Sequence, residues 1–89
     1  MSELCASFGD TLRQLCEAKR WSQETLAENA SLNRSYVGEI ERGKAVPSLI
    51  TLEKLALALG VSLSELVTQC ERIHREKLVR STNLVSIAC

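Results

Sequence analysis

One short polar set has side chains suited to hydrogen bonding with donors and acceptors at the edge of a planar group: Arg34, Ser35 and Glu39. An arginine can donate two parallel hydrogen bonds to guanine O6 and N7, a serine hydroxyl adapts to either role, and a glutamate can accept from cytosine N4. The plainer alternative for Glu39 is solvation or an ion pair with Arg42. The chemistry indicated is therefore non-covalent recognition.

Covalent chemistry has few candidates, because the only thiols are Cys5, Cys16, Cys70 and Cys89 and the only imidazole is His74. Their wide spacing, without a Cys-x-x-Cys pair, argues against a zinc site, and we expect no metal and no cofactor. A Cys–His nucleophile pair would need an orienting cluster that the sequence lacks, so we expect no enzyme. The cysteines are interpreted as reduced thiols.

Two short helices within residues 21–43 must position the polar set. Ser22 and Asn33 are good N-caps, and Gly43 supplies the left-handed residue that ends the second helix. The inner faces are predicted to be Leu26, Ala27 and Ala30 on the first helix and Val37 and Ile40 on the second. This pattern is typical of a helix-turn-helix, whose second helix enters the major groove of DNA.

Two segments resemble the Cro/CI-type (Xre) helix-turn-helix family: Ser-Gln-Glu-Thr-Leu-Ala at 22–27 and Asn-Arg-Ser-Tyr-Val-Gly-Glu-Ile-Glu-Arg-Gly at 33–43. The second is particularly similar to the small controller proteins of restriction–modification systems. The resemblance covers about residues 7–68. It implies an all-α, five-helix, lambda-repressor-like domain in a regulator that binds a double-stranded DNA operator.

The resemblance also assigns residues to the DNA backbone. Gln23 matches a phosphate-holding glutamine, while Arg42 and Lys44 match positions that contact phosphates beyond the second helix, unless they only stabilise its end. Asn33 faces the backbone or is a plain cap; Tyr36 meets a phosphate or a thymine methyl, or covers the core edge. The predicted DNA-binding set is Gln23, Asn33, Arg34, Ser35, Tyr36, Glu39, Arg42 and Lys44.

Two positions depart from the family pattern. An arginine often stands where this chain has Cys16, and it pairs with the residue corresponding to Glu41; we therefore expect Arg13 or Lys19 to substitute, or Glu41 to be solvated. Ser31 occupies a turn position that usually holds glycine, and a left-handed serine costs on the order of 1 kcal/mol. We expect the turn to be intact and slightly strained.

The remaining helices are predicted from spacing and caps. Helix 1 should run from about Ser7 to Arg20, helix 4 should follow Ser48 and end at Gly60, and residues 62–65 form a capping box for helix 5. The expected core faces are Phe8, Leu12, Leu15 and Cys16 on helix 1 and Leu49, Leu52, Leu55, Ala56 and Leu59 on helix 4.

Residues 70–89 are predicted to be a C-terminal extension of a DNA-binding domain at 1–69. Residues 71–80 can prolong helix 5, and residues 84–89 suit a short strand or an arm. The extension either folds back on its own core or reaches across a homodimer reading two half-sites ~34 Å apart. The predicted dimer interface is Leu63, Leu66, Val67, Cys70, Ile73, Leu84, Val85 and Ile87.

Eleven basic and eleven acidic residues cancel, which does not favour non-specific binding to polyanions. DNA binding must then depend on a local patch of positive charge.

The alternative functions antitoxin, phage-type repressor and controller protein all remain open, as does a protein-interaction module that keeps the fold without reading DNA. By analogy only, Glu24 and Glu28 are candidates to contact RNA polymerase. With no apolar run near ~20 residues and no secretory signal, we expect no membrane contact and a cytoplasmic location.

Overall fold

The computed structural model describes the backbone of residues 3–88 and the side chains of residues 3–78. Five helices make up the described chain, and it contains no strand: α1 Glu3–Lys19, α2 Gln23–Ala30, α3 Arg34–Glu41, α4 Leu49–Leu59 and α5 Leu63–Ala88. The predicted all-α, five-helix architecture is confirmed.

Side-chain caps set the limits of α2 and α3. Ser22 Oγ accepts a hydrogen bond from the Thr25 amide at 3.1 Å, and Asn33 Oδ1 accepts one from the Ser35 amide at 2.8 Å. Between the two helices Ser31 has φ 55° and ψ 45°, a left-handed conformation. Both predicted caps and the left-handed serine are confirmed.

The ends of α4 and the start of α5 also follow their predicted signals. Ser48 Oγ accepts from the Thr51 amide at 3.1 Å, and Gly60 has φ 73°. Ser62 and Glu65 form a reciprocal capping box: Ser62 Oγ accepts from the Glu65 amide at 3.0 Å, and the Ser62 amide donates to Glu65 Oε1 at 3.1 Å. Two backbone amides that the helix leaves unpaired are thereby satisfied.

One core forms where the five helices meet. Its buried side chains are Phe8, Leu12, Cys16, Leu26, Ala27, Ala30, Val37, Ile40, Leu55, Ala56, Leu59, Leu66 and Cys70. The prediction for Leu49 was wrong, because this side chain is 69% exposed, and Leu52 is only partly buried. The α4 sequence has apolar residues on most of its faces, so spacing alone did not show which face is buried.

α1 begins at Glu3, four residues before the predicted start. Its first turns pack against the segment after α3: a Cβ at Gly43, which has φ 73°, would lie 3.1 Å from the Cα of Ala6. On the α5 side, the Cys70 thiol lies 4.0 Å from the Leu4 carbonyl oxygen. These contacts hold residues 3–6 against the rest of the domain, which explains why the helix extends beyond its predicted start.

The described part of the C-terminal extension packs on α1 of the same chain. Lys77 Nζ lies 2.7 Å from Asp10 Oδ2, and His74 Nδ1 lies 3.4 Å from Ser7 Oγ. The hydrogen bond from Lys77 lowers the pKa of the Asp10 carboxyl. The predicted strand or arm is wrong for residues 84–88, which continue α5 without a break at residue 70, while Cys89 lies outside the described residues.

Candidate DNA-binding surface

The two faces of α3 are separated as predicted. Val37 and Ile40 are fully buried, whereas Arg34, Ser35 and Glu39 are exposed. This separation follows from the period of the helix, because the polar positions lie on the face opposite the apolar ones. The three candidate base-reading side chains are therefore available to a ligand outside the protein.

A polar cleft runs between the start of α2 and the exposed face of α3. It has a volume of about 270 Å³ and is lined by Gln23, Arg34, Ser35, Gly38, Glu39 and Arg42. Five of the eight predicted DNA-binding residues are thus brought together. Gly38 is an addition that sequence reasoning missed, although a glycine inside a short helix is itself a sign of close approach.

Glu41 is held by a residue that neither expectation named. Its side chain is 5% exposed, and Gln23 Nε2 donates to Glu41 Oε1 at 2.6 Å. Arg13 instead pairs with Asp10, and Lys19 lies 5.3 Å from the ring centre of Trp21. The expectations of a substitute cation and of a solvated Glu41 were both wrong, because the buried carboxylate accepts its hydrogen bond from the side-chain amide of Gln23 on α2.

Cys16 lies in the core and faces this carboxylate. Burial, and to a smaller degree the charge of Glu41, raise the pKa of the Cys16 thiol to about 11. At neutral pH the side chain is therefore an uncharged thiol. It fills the family's arginine position with apolar volume instead of positive charge.

The other three predicted residues lie outside the cleft. Asn33 caps α3, and Lys44 is exposed with its backbone amide bonded to the Glu39 carbonyl oxygen at 2.8 Å. The Tyr36 hydroxyl lies 3.4 Å from Thr51 Oγ1, and the ring packs against the core. The structural alternatives noted for Asn33 and Tyr36 are therefore present in the fold, and each residue keeps a partly exposed side chain.

Comparison with known proteins identifies the family of this chain. A helix-turn-helix family model matches residues 12–66, which is well over half of the chain. The chain belongs to the Xre-type helix-turn-helix family. It is 40% identical over 73 residues to the control protein C.MunI of a Mycoplasma species, covering 81% of this chain and 99% of that protein.

Solved structures of helix-turn-helix proteins agree with this assignment. The crystal structure of the restriction–modification controller protein C.AhdI from Aeromonas hydrophila is 50% identical and matches with a TM-score of 0.68, covering 70% of this chain and 94% of that chain. A C.Esp1396I tetramer in complex with its natural 35 base-pair operator matches at 24% identity and a TM-score of 0.76, covering 83% and 97% of the two chains, which shows the shared fold. The lambda-repressor-like fold is confirmed, and this helix-turn-helix protein is a sequence-specific DNA-binding transcriptional regulator.

Gly9 sets the position of α3 in this helix-turn-helix domain. A Cβ at Gly9 would lie 2.2 Å from the Glu41 carbonyl oxygen and 2.9 Å from that of Ile40. Only glycine allows α1 to approach the C-terminal turn of α3 so closely. Sequence reasoning did not single out Gly9, because nothing in its neighbours shows which helix passes over it.

The predicted dimer residues divide into two groups. Leu66 and Cys70 are buried in the core of the protomer, so neither side chain presents the apolar surface that the predicted interface would need. Leu63 and Ile73 are partly exposed, and Val67 is 46% exposed. The side chains of Leu84, Val85 and Ile87 lie outside the described residues.

Neither a metal site nor a membrane span is found in the described part of this regulator. No group of three or more His, Cys, Asp or Glu side chains among those residues lies close enough to hold a metal ion. None of the helices traced between residues 3 and 88 combines the length and hydrophobicity needed to cross a bilayer.

Proposed function

We propose that this regulator acts as a homodimer that places α3 of each protomer in the major groove of a pseudo-palindromic operator, in the manner of a controller protein or phage-type repressor. The observation that carries the proposal is the polar cleft, which brings five predicted DNA-binding side chains together between the start of α2 and the exposed face of α3. The protein has no catalytic step in this proposal, and its location is the cytoplasm, where its operator lies.

Base readout is assigned to Arg34, Ser35 and Glu39. The Arg34 guanidinium, with 69% of its side chain exposed, is the candidate for the paired hydrogen bonds to guanine. Glu39, one turn further along α3, is the candidate acceptor for cytosine N4. This distribution supports discrimination at a few base pairs in each half-site.

Contacts with the DNA backbone are assigned to Gln23, Arg42 and Lys44. Arg42 and Lys44 are exposed at and just beyond the end of α3, and Gln23 borders the same cleft from α2. Because the chain carries no net charge, these local groups must provide the attraction to phosphates. Binding should therefore depend on salt only moderately.

The proposed dimer surface lies on α5 and the groove beside it. Val67 lines an apolar groove of about 320 Å³ together with Leu4 and Val46, which are 51% and 68% exposed. Leu63 and Ile73 extend the partly exposed face of α5. Covering this surface with a second copy removes apolar area from water.

Selection from a random duplex library at moderate salt, followed by sequencing, tests the proposal. We expect a two-fold symmetric consensus whose half-sites are separated by about one helical turn of DNA. An asymmetric consensus would contradict the dimer. The absence of any enrichment by folded protein would contradict sequence-specific readout as a whole.

The outer face of α4 favours a second candidate, in which the protein also binds another protein, as an antitoxin does. Leu49, Ile50 and Leu57 are between 68% and 74% exposed on this helix. A protein partner held by this face would stay bound after Arg34→Ala, whereas operator binding would lose discrimination at one base position. Contact of Glu24 and Glu28 with RNA polymerase rests on their exposure on α2 and on analogy.

A further inference from the structure

The hydrogen bond between Gln23 and Glu41 joins α2 to the last turn of α3. Its donor is the side-chain amide of the residue that the proposed function places on a DNA phosphate, and its acceptor is a carboxylate that is 5% exposed. At 2.6 Å the contact has the short distance of a hydrogen bond to a charged acceptor. It therefore links a buried charge directly to the DNA-binding surface.

The surroundings of Glu41 explain why Gln23 takes this role. Cys16, the core neighbour on α1, is a neutral thiol whose pKa is raised by burial and by the Glu41 charge, so it offers the carboxylate no cation. Gly9 brings the α1 backbone against the end of α3 from the same side and adds no side chain. A buried carboxylate needs a hydrogen-bond donor, and the Gln23 side-chain amide supplies it.

The contact also fixes which way the Gln23 carboxamide points. A carboxylate only accepts, so the amide must turn its NH₂ group towards Glu41 and its oxygen away. The oxygen lies beside Gly38, where a Cβ would be 3.3 Å from Gln23 Oε1 and 3.2 Å from Arg42 Nη1. One amide N–H is used by Glu41, and the other remains to donate.

We propose that Glu41 is a positioning residue for DNA binding, which holds the Gln23 carboxamide so that its second N–H donates to one phosphate of the operator backbone. This inference rests on the proposed function. Glu41 itself is buried and meets no DNA; it acts through Gln23 by removing the alternative orientation of the amide. A glutamine at position 41 can donate as well as accept, so it would no longer impose one orientation.

A double-mutant cycle measures this coupling with the full-length protein. Affinities for the selected operator are compared for the wild type, Gln23→Ala, Glu41→Gln and the double variant, with Glu17→Gln on the exposed face of α1 as the matched loss of one negative charge. We expect each single variant to bind about 5- to 10-fold more weakly, corresponding to one lost hydrogen bond, and the double variant to bind no more weakly than Gln23→Ala. Multiplicative losses in the double variant would overturn the proposal.

Phosphate specificity separates positioning from a general structural effect. In duplexes carrying a neutral methylphosphonate at each backbone position in turn, wild type and Glu17→Gln should be sensitive at one position per half-site that Glu41→Gln and Gln23→Ala no longer sense. Retained sensitivity in Glu41→Gln would contradict the inference. Failure of the wild type to bind any selected duplex would instead overturn the proposed function.

Nuclear magnetic resonance of the wild type keeps the test independent of whether Glu41→Gln folds. One of the two side-chain amide protons of Gln23 should have a chemical shift displaced from that of a solvent-exposed glutamine and should exchange slowly with water, because it is bonded to Glu41. On addition of the operator the second proton should shift. If both protons in the free protein had the chemical shifts and the rapid water exchange of a solvent-exposed glutamine, the amide would not be held.

Discussion

Arg34 Nη1 on α3 lies 3.8 Å from Glu24 Oε2 on α2, so the candidate base-reading guanidinium of the free protein faces a carboxylate. Both side chains are more than 60% exposed, and an ion pair of this kind contributes at most about 1 kcal/mol. Arg34 must leave this carboxylate, at least in part, when it donates to a base.

Replacing Glu24 by Gln should therefore strengthen operator binding. We expect a gain of less than about fivefold, which shrinks as salt is raised because the exposed pair is screened. Titration of a labelled operator at two salt concentrations measures the effect, with Glu28→Gln as the control for loss of one acidic residue on α2. Weaker binding by Glu24→Gln would indicate that Glu24 holds Arg34 in its reading position.

Ser31→Gly should stabilise the fold. Ser31 has φ 55°, where a side chain is unfavourable, and glycine relieves that cost at the expense of a more flexible unfolded chain. We expect a gain of about 0.5–1 kcal/mol in the free energy of unfolding by urea. Ser31→Ala, which keeps the Cβ, should show no gain, and equal gains in both variants would exclude backbone strain as the cause.

Several features of the fold were predictable because their signals are local. Ser22, Asn33 and Ser62 act on amides two or three residues away, and Ser31 falls at a turn whose geometry is set by the helices beside it. The partner of Glu41 was not predictable, because it depends on how α2 crosses α3. The exposed position of Leu49 likewise depends on which face of an apolar helix meets the core.

Alkaline pH should destabilise the protein in part through Cys16. Burial raises the pKa of this thiol to about 11, whereas the value for an unperturbed thiol is 9.0. The folded state thus holds the thiol proton more tightly than the unfolded state does. The stability gained from this difference is complete below pH 9.0 and is lost as the pH rises through about 11. Thermal unfolding between pH 8 and 11 should show a smaller decrease in midpoint for Cys16→Ala than for wild type. Parallel curves would contradict this assignment.

Val67→Glu should convert the proposed dimer into a monomer. The substitution places a charge in the apolar groove of α5, which a second copy would have to bury. Light scattering at tens of micromolar should give the monomer mass, and operator affinity should fall sharply. Gln14→Glu, an exposed position on α1, adds the same charge and should leave the mass unchanged. A dimer that persists in Val67→Glu would move the interface to another surface, of which the outer face of α4 is the next candidate.

The most direct test of α3 as the base reader compares Arg34→Ala with Lys44→Ala on a set of operators that each carry one base-pair change. Arg34→Ala should lose about 1–3 kcal/mol on the consensus operator and should no longer discriminate at one position of each half-site. Lys44→Ala should weaken binding to all the operators by a similar factor and reduce the salt dependence. If Arg34→Ala keeps the full base preference of the wild type, α3 does not read sequence through this residue, and the assigned reading face is wrong.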